Sequence, residues 1–215
     1  GISLVADALS VIMIVMVQFV MVTGCIYALG ANDIAKRYSV FMPIFLTLTV
    51  GLTGVMLTGD TFNLFVFMEL IVISAAALTA MSDDRNGTEA AFKYFYISQL
   101  ATIFLLAANG LIYMSYGTLN MADLAQRIRA DAQAGAEMPP MFMMAMVCFF
   151  ATFMIKSASF PFHFWQPDFH AAAPTAVSAM LSSVVVKSGV YGFIRMTTHI
   201  FAPFAPQLQQ VLIVI

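Results

Sequence analysis

The run Met141-Phe142-Met143-Met144-Ala145-Met146-Val147-Cys148-Phe149-Phe150-Ala151-Thr152-Phe153-Met154-Ile155-Lys156, followed by Ser157-Ala158-Ser159-Phe160-Pro161-Phe162-His163-Phe164-Trp165-Gln166-Pro167-Asp168-Phe169-His170, decides how this chain is to be read. An almost wholly apolar stretch ends on a lysine, and apolar residues resume beyond it around two prolines. Pro161 has no N–H and clashes with the preceding turn, so a helix is expected to break near residue 157 and to leave carbonyls without helical partners. Such a break beside a cation is found where a polar cavity is built inside a membrane. The alternative is that the span ends at Lys156 and the side chain snorkels to the headgroups. Phe160, Phe162, Phe164 and Trp165 beyond the lysine weigh against that alternative, although Trp165 also suits an interfacial anchor.

The rest of the chain supports a lipid setting. Only 9% of its 215 residues are charged and 61% are hydrophobic, and the mean hydropathy is +0.91, more than one soluble core requires. Nine basic and eleven acidic residues leave a net charge of -2, with no basic face for nucleic acid. Cys25 and Cys148 lie far apart in apolar stretches and read as packing residues; no disulfide or metal-ligand spacing is present. No nucleophile–base set, phosphate loop or dinucleotide fingerprint points to an enzyme or a cofactor. The first apolar stretch is too long for a signal peptide and lacks a basic residue before it. Opening at Gly1 and closing within the apolar run Val211 to Ile215, the chain reads as part of a longer polypeptide.

A bilayer core of roughly 30 Å takes about 20 helical residues. That ruler predicts an all-α polytopic bundle with spans at 8–30, 40–58, 61–80, 94–116, 141–165 (broken) and 175–196, and the start of another near 207, all in a single transmembrane domain. The runs are continuous, so helices are preferred to a barrel. Short connections imply antiparallel neighbours, and the long one, residues 117–140, is expected to hold an interfacial helix. Lys36, Arg37, Arg85 and Lys93 fall on one side and Arg127, Arg129 and Arg195 on the other, a slight bias that makes the Lys36 side cytoplasmic.

Three ionisable residues lie well inside these spans. Glu69 has apolar neighbours on both sides, and a charge at that depth costs about 2.5–3.5 kcal/mol on insertion scales, so a partner must come from another helix or a proton must neutralise it. Lys156 stands at the break. Lys187 lies about two-thirds of the way from Pro174 to Arg195; helical steps of three and four put Ser178, Ser182 and Ser183 beneath it and Tyr191 above it, hydroxyls suited to a lysine or a file of water. For Glu69 and Lys187 the competing reading is a fixed helix–helix pair without a transport role. His163 and His170, in the interrupted segment, suit proton relay because imidazole titrates near neutrality. Lys93, close to a helix start, is an accessory candidate; Asp7 and His199 read as interfacial.

The stretch Lys156, Pro161-Phe162-His163, Trp165, Pro167-Asp168, His170, Ala173-Pro174-Thr175, Lys187 and Gly189-Val190-Tyr191-Gly192 resembles the proton-translocating antiporter-like family. Its members are the Mrp-type cation/proton antiporter subunits and the large membrane subunits of respiratory complex I and membrane-bound hydrogenases. Gly59-Asp60, Asn63-Leu64, Phe67, Glu69, Lys93-Tyr94-Phe95 and the opening Gly1 to Ser10 fit the same family, and the wording from Thr58 to Glu69 is most similar to the D-type branch of the Mrp antiporters. The resemblance implies one half of an inverted-repeat fold with a discontinuous helix, a multi-pass subunit of the cell membrane working among other membrane subunits. It also implies that Glu69 pairs with Lys156 and that Lys187 passes protons onward, with Na+ as a candidate counter-ion. A complex I or hydrogenase setting, an organic-solute transporter and a non-conducting scaffold subunit are the competing expectations.

Overall fold

A computed structural model describes residues 2–31, 34, 37–82, 84–135 and 139–204. The further helix expected near residue 207 and the side chain of Lys36 lie outside the described residues. Among them, five helices are long and apolar enough to cross a membrane: α1 (Ala8–Gly30), α2 (Tyr38–Leu57), α3 (Thr61–Ala80), α4 (Arg85–Tyr116) and α8 (Thr175–Ile200). Between α4 and α8 come an amphipathic helix, α5 (Met121–Gln133), a shorter apolar helix, α6 (Pro140–Lys156), a single 3-10 turn (Phe162–Phe164) and α7 (Trp165–Ala172).

Caps explain several boundaries. Asp60 ends the α2–α3 turn and accepts the Phe62 and Asn63 N–H groups, both at 2.9 Å. Asp84 does the same for α4 through Gly87 N at 2.8 Å, and this bond holds its carboxyl below the usual carboxylate range. Helix α4 thus begins at Arg85, well before the expected span at 94. Hydropathy discounts its first turns because they are charged, yet Glu89 and Lys93 sit one turn apart and pair at 2.9 Å on the helix surface.

The expected break is present, but the proline does not make it. Helix α6 stops at Lys156 because Ala158 adopts a left-handed conformation, φ 53°. Ala158 N then bonds Ile155 O at 3.2 Å and Ser159 N bonds Met154 O at 3.0 Å. These two reversed bonds form a Schellman cap, with alanine at the position glycine usually takes. Two of the carbonyls expected to be freed are therefore satisfied within the cap itself.

The two ends of the bundle are tied differently. At one end Val5 N bonds Leu57 O at 2.7 Å, Gly59 N bonds Ser3 O at 2.9 Å, and Met121 N bonds Gly59 O at 2.8 Å. The N-terminal segment, the α2–α3 turn and the start of α5 so form a small irregular layer. Helix α5 buries Met121, Leu124, Ala125 and Ile128 at helical spacing and leaves its charges outward. At the other end Lys93 reaches Asp168 of α7 at 2.9 Å. Helix α4 runs through the middle of the fold, packing against α3, α6 and α7.

Close approaches fix the helix pairs. A Cβ on Gly51 of α2 would meet Ile71 N of α3 at 3.2 Å. One on Gly189 of α8 would meet Ser157 N at 2.7 Å and the Lys156 carbonyl carbon at 2.8 Å. Small residues of this kind let apolar helices touch along their backbones, where dispersion takes over from the hydrophobic effect.

Candidate functional site

Lys156 ends α6 near the midpoint of α3, with Met68, Ile71, Tyr94, Ser98, Trp165 and Ser188 around it. Only 9% of the residue is exposed, and its Nζ has no hydrogen-bond partner among the described residues. Snorkelling is thereby ruled out for this side chain, since its amine ends inside the bundle. The surrounding cavity is small, about 10 Å³ open to the centre of a water molecule, which is close to the least space that holds one water.

Glu69 lies on the adjoining helix. Its Oε2 accepts from Gln99 Nε2 of α4 at 2.9 Å, while Oε1 is buried and without a partner among the described residues. Met68 and Ile71, which flank Glu69 on α3, line the Lys156 cavity. The glutamate therefore lies next to the lysine's cavity without lining it, and no ion pair joins the two among the described residues. Each instead presents one unmatched buried atom. Trp165 Nε1, on the same cavity, is unmatched and buried as well, as are His170 Nδ1 further along α7 and Asn109 Oδ1 of α4, whose amide reaches the Thr61 carbonyl at the other end of the bundle. Buried polar atoms are nearly always partnered, and three of these, on Glu69, Lys156 and Trp165, belong to adjoining parts of α3, α6 and α7.

The other sequence candidates fall outside this pocket. His170 is half-buried on α7; its carbonyl accepts from Ser178 Oγ at 3.0 Å and its ring lies 3.5 Å from Gln166 Nε2. His163 is exposed in the 3-10 turn, its ring stacked on Phe160 with centroids 5.9 Å apart. Lys93 is exposed between Glu89 and Asp168 at the bundle end. Lys187 and Ser182 open on the outer surface of α8 and Ser183 is half-buried. Tyr191, expected above Lys187, is buried and turned the other way, donating to Met56 O at 2.8 Å. The inner side of α8 is carried by Ser188, Gly189, Tyr191, Gly192 and Arg195, which leaves Lys187 facing away from Lys156. A wide π-helical stretch, Leu181–Val185, precedes Lys187, so regular helical steps do not carry a face from Ser178 through to it; wide turns of this kind favour functional sites.

Composition and hydropathy did not single out Gln99, Ser98, Ser188 or Arg195. Gln99 had a signal, being an amide inside the apolar run of α4 at a depth comparable to Glu69 in α3. Arg195 is the hub of a second polar cluster at the opposite end of α8 from Pro174. Its guanidinium contacts both Asp7 carboxylate oxygens, Ser10 Oγ at 2.6 Å and Tyr191 Oη at 2.7 Å. Asp7, read as interfacial, is therefore the counter-ion of a buried arginine.

Comparison with known proteins adds to this geometry. A family profile described as "NADH:quinone oxidoreductase/Mrp antiporter, TM" matches residues 58–215. The D-type subunit of the Na(+)/H(+) antiporter of Alkalihalophilus pseudofirmus is 32% identical over 201 residues, covering 94% of this chain and 40% of the relative. The N-type subunit of the NADH-quinone oxidoreductase of Desulforudis audaxviator is 35% identical over 214 residues, covering 97% of this chain and 42% of the relative. Among solved structures, the Mrp complex from Dietzia sp. superposes with a TM-score of 0.82 at 30% identity, over 94% of this chain and 37% of that one. The chain thus spans about two fifths of the length of these relatives.

Proposed function

Because the chain belongs to the NADH:quinone oxidoreductase/Mrp antiporter transmembrane family, we propose that it is the part of an ion-translocating membrane subunit that carries protons past a buried glutamate and lysine, most like the D-type subunit of an Mrp cation/proton antiporter. The observation that carries this reading is the Lys156 amine, buried with no hydrogen-bond partner among the described residues, in a cavity lined by residues that flank Glu69, whose carboxylate also has an unmatched oxygen. A purely structural ion pair would close that gap, since an uncompensated buried charge is among the most costly features a fold can hold. A lysine and a glutamate that are near but apart can instead trade a proton through a side-chain movement or one intervening water, because an opposite charge in contact favours the ionised forms.

In this reading Glu69 and Lys156 are the switching elements and Tyr94, Ser98 and Ser188 line the water-sized space between helices. Lys187 passes charge to whatever helix covers the outer face of α8, and His170 and His163 connect the pocket with the Lys93 end. Na+ is the counter-ion, other membrane subunits are the partners, and the cell membrane is the location. The likeness to a subunit of an NADH-quinone oxidoreductase supports a second reading, in which the same pocket is driven by electron transfer in a neighbouring subunit.

The test uses the full-length protein in its native complex, in sealed inverted vesicles with a pH-sensitive dye. Lys156→Met is expected to lower proton movement per assembled complex about 100-fold, equivalent to about 2.7 kcal/mol. Near-normal movement would remove the pocket from the route. Movement started by an imposed Na+ gradient supports the antiporter reading, whereas movement seen only during redox turnover supports the second.

A further inference from the structure

We propose that Gln99 is a positioning residue that competes with Lys156 for the Glu69 carboxylate and so sets how often the glutamate and lysine meet. The proposal rests on the proton-carrying reading above. It starts from the hydrogen bond that holds Glu69, the 2.9 Å contact from Gln99 Nε2 to Oε2. Glu69 is thus tied to α4 while its other oxygen, and the amine it would neutralise, stay unpartnered among the described residues.

An amide suits this role for a chemical reason. An ionised carboxylate only accepts hydrogen bonds, and a protonated one has an O–H to give. The side chain of Gln99 has N–H donors for the first state and a carbonyl acceptor for the second, so a half-turn of its amide serves both. It does so without a charge of its own, and so adds no electrostatic cost at that depth. A lysine or arginine at 99 would hold the carboxylate permanently, and an apolar residue would leave it to Lys156.

Placement on α4 also matters. On the same helix Lys93 bonds Asp168 of α7 at 2.9 Å, Tyr94 stacks on Phe169 of α7 with ring centroids 4.1 Å apart, and Ser98 lines the Lys156 cavity. The helix that holds the second half of the broken segment therefore also holds Glu69. Movement of α7 against α4 alters the lysine's surroundings and the glutamate's tether together.

A carrier with two positions works fastest when both are of similar free energy, and removing one contact shifts the balance by the worth of that contact. Gln99→Met keeps the length of the side chain and removes the amide. It is expected to slow proton movement per assembled complex about tenfold, equivalent to about 1.4 kcal/mol, because Glu69 then rests on Lys156. In infrared difference spectra of the full complex, the protonated-carboxyl stretch that disappears in Glu69→Gln should move to higher frequency in Gln99→Met. Gln99→Asn keeps the amide on a shorter stem and should restore part of the rate and part of the band position. A merely structural role would lower the amount of assembled complex without moving the band. An unmoved band, with transport per complex within about twofold of the parent, overturns the proposal; should Gln99→Met fail to assemble, a Gln99→Asn band and rate identical to the parent overturn it equally, because that shorter amide cannot keep the same contact. Loss of the underlying proton-carrying reading would look different: Lys156→Met would pump normally, while the Glu69 band could still respond to Gln99.

Discussion

Arg195 and Lys156 are buried to nearly the same degree, 8% and 9% exposed, and the fold treats them in opposite ways. The guanidinium of Arg195 is matched by the Asp7 carboxylate, Ser10 and Tyr191, and Tyr191 passes the connection to the Met56 carbonyl at 2.8 Å. The amine of Lys156 has no partner among the described residues. Burial depth alone therefore does not reveal what a membrane cation does; its saturation does. A rigid fork of donors met by carboxylate and hydroxyl oxygens fastens helices together, here the start of α1, the end of α2 and the end of α8. A single ammonium left unmatched weakens the fold and keeps its chemistry available.

Four measurements put the contrast between the two cations at risk. The largest effect is expected from Asp7→Ala, which leaves a buried arginine without its counter-ion; thermal unfolding of the complex in detergent should show a loss of about 2–3 kcal/mol, somewhat under the usual cost because Ser10 and Tyr191 still hold the guanidinium. Lys156→Met should change stability with the opposite sign, a gain of about 1–2 kcal/mol, since a thioether of similar length fills an apolar cage without an uncompensated charge. A loss there comparable to that of Asp7→Ala would erase the distinction between the two cations. Ala158→Gly, which relieves the left-handed residue of the α6 cap, should gain about 1 kcal/mol in the same assay.

The smallest expected effect is a constancy with a definite sign behind it. The hydrogen bond from Arg195 holds the Asp7 carboxyl well below the usual carboxylate range. A carboxyl lowered on folding lends stability that is complete above its unfolded pKa of about 3.9 and fades only as the pH falls toward the folded value. The unfolding difference between the parent and Asp7→Asn should accordingly stay constant from about pH 8 to about pH 5. A difference that shrinks within that window would show that the arginine clamp is not what holds the carboxyl.

Much of the architecture was legible because hydropathy reports depth. The spans of α1 and α3, the amphipathic α5 and the interruption after Lys156 were all visible that way. Depth says nothing about azimuth, and the candidate sites depend on azimuth. Glu69, Lys156 and Lys187 looked equivalent as ionisable groups inside apolar runs, yet the third faces outward from α8 while Arg195, about two turns further on, faces in. The cap at Ala158 was hidden because alanine carries no signal for a left-handed residue, so the break was assigned to Pro161. The first turns of α4 were hidden by their charges. Gln99 was passed over because a neutral amide barely lowers the hydropathy of its window, although at the depth of Glu69 it is the most natural donor for a carboxylate.

At Gly189 the backbone of α8 presses on Ser157 and on the main chain of Lys156, with no side chain between them to yield. Two residues earlier the same helix bears Lys187. If the proposed exchange moves the last turn of α6, this backbone contact is where the movement would reach α8, like one gear tooth meeting another, and Lys187 would feel it two residues away.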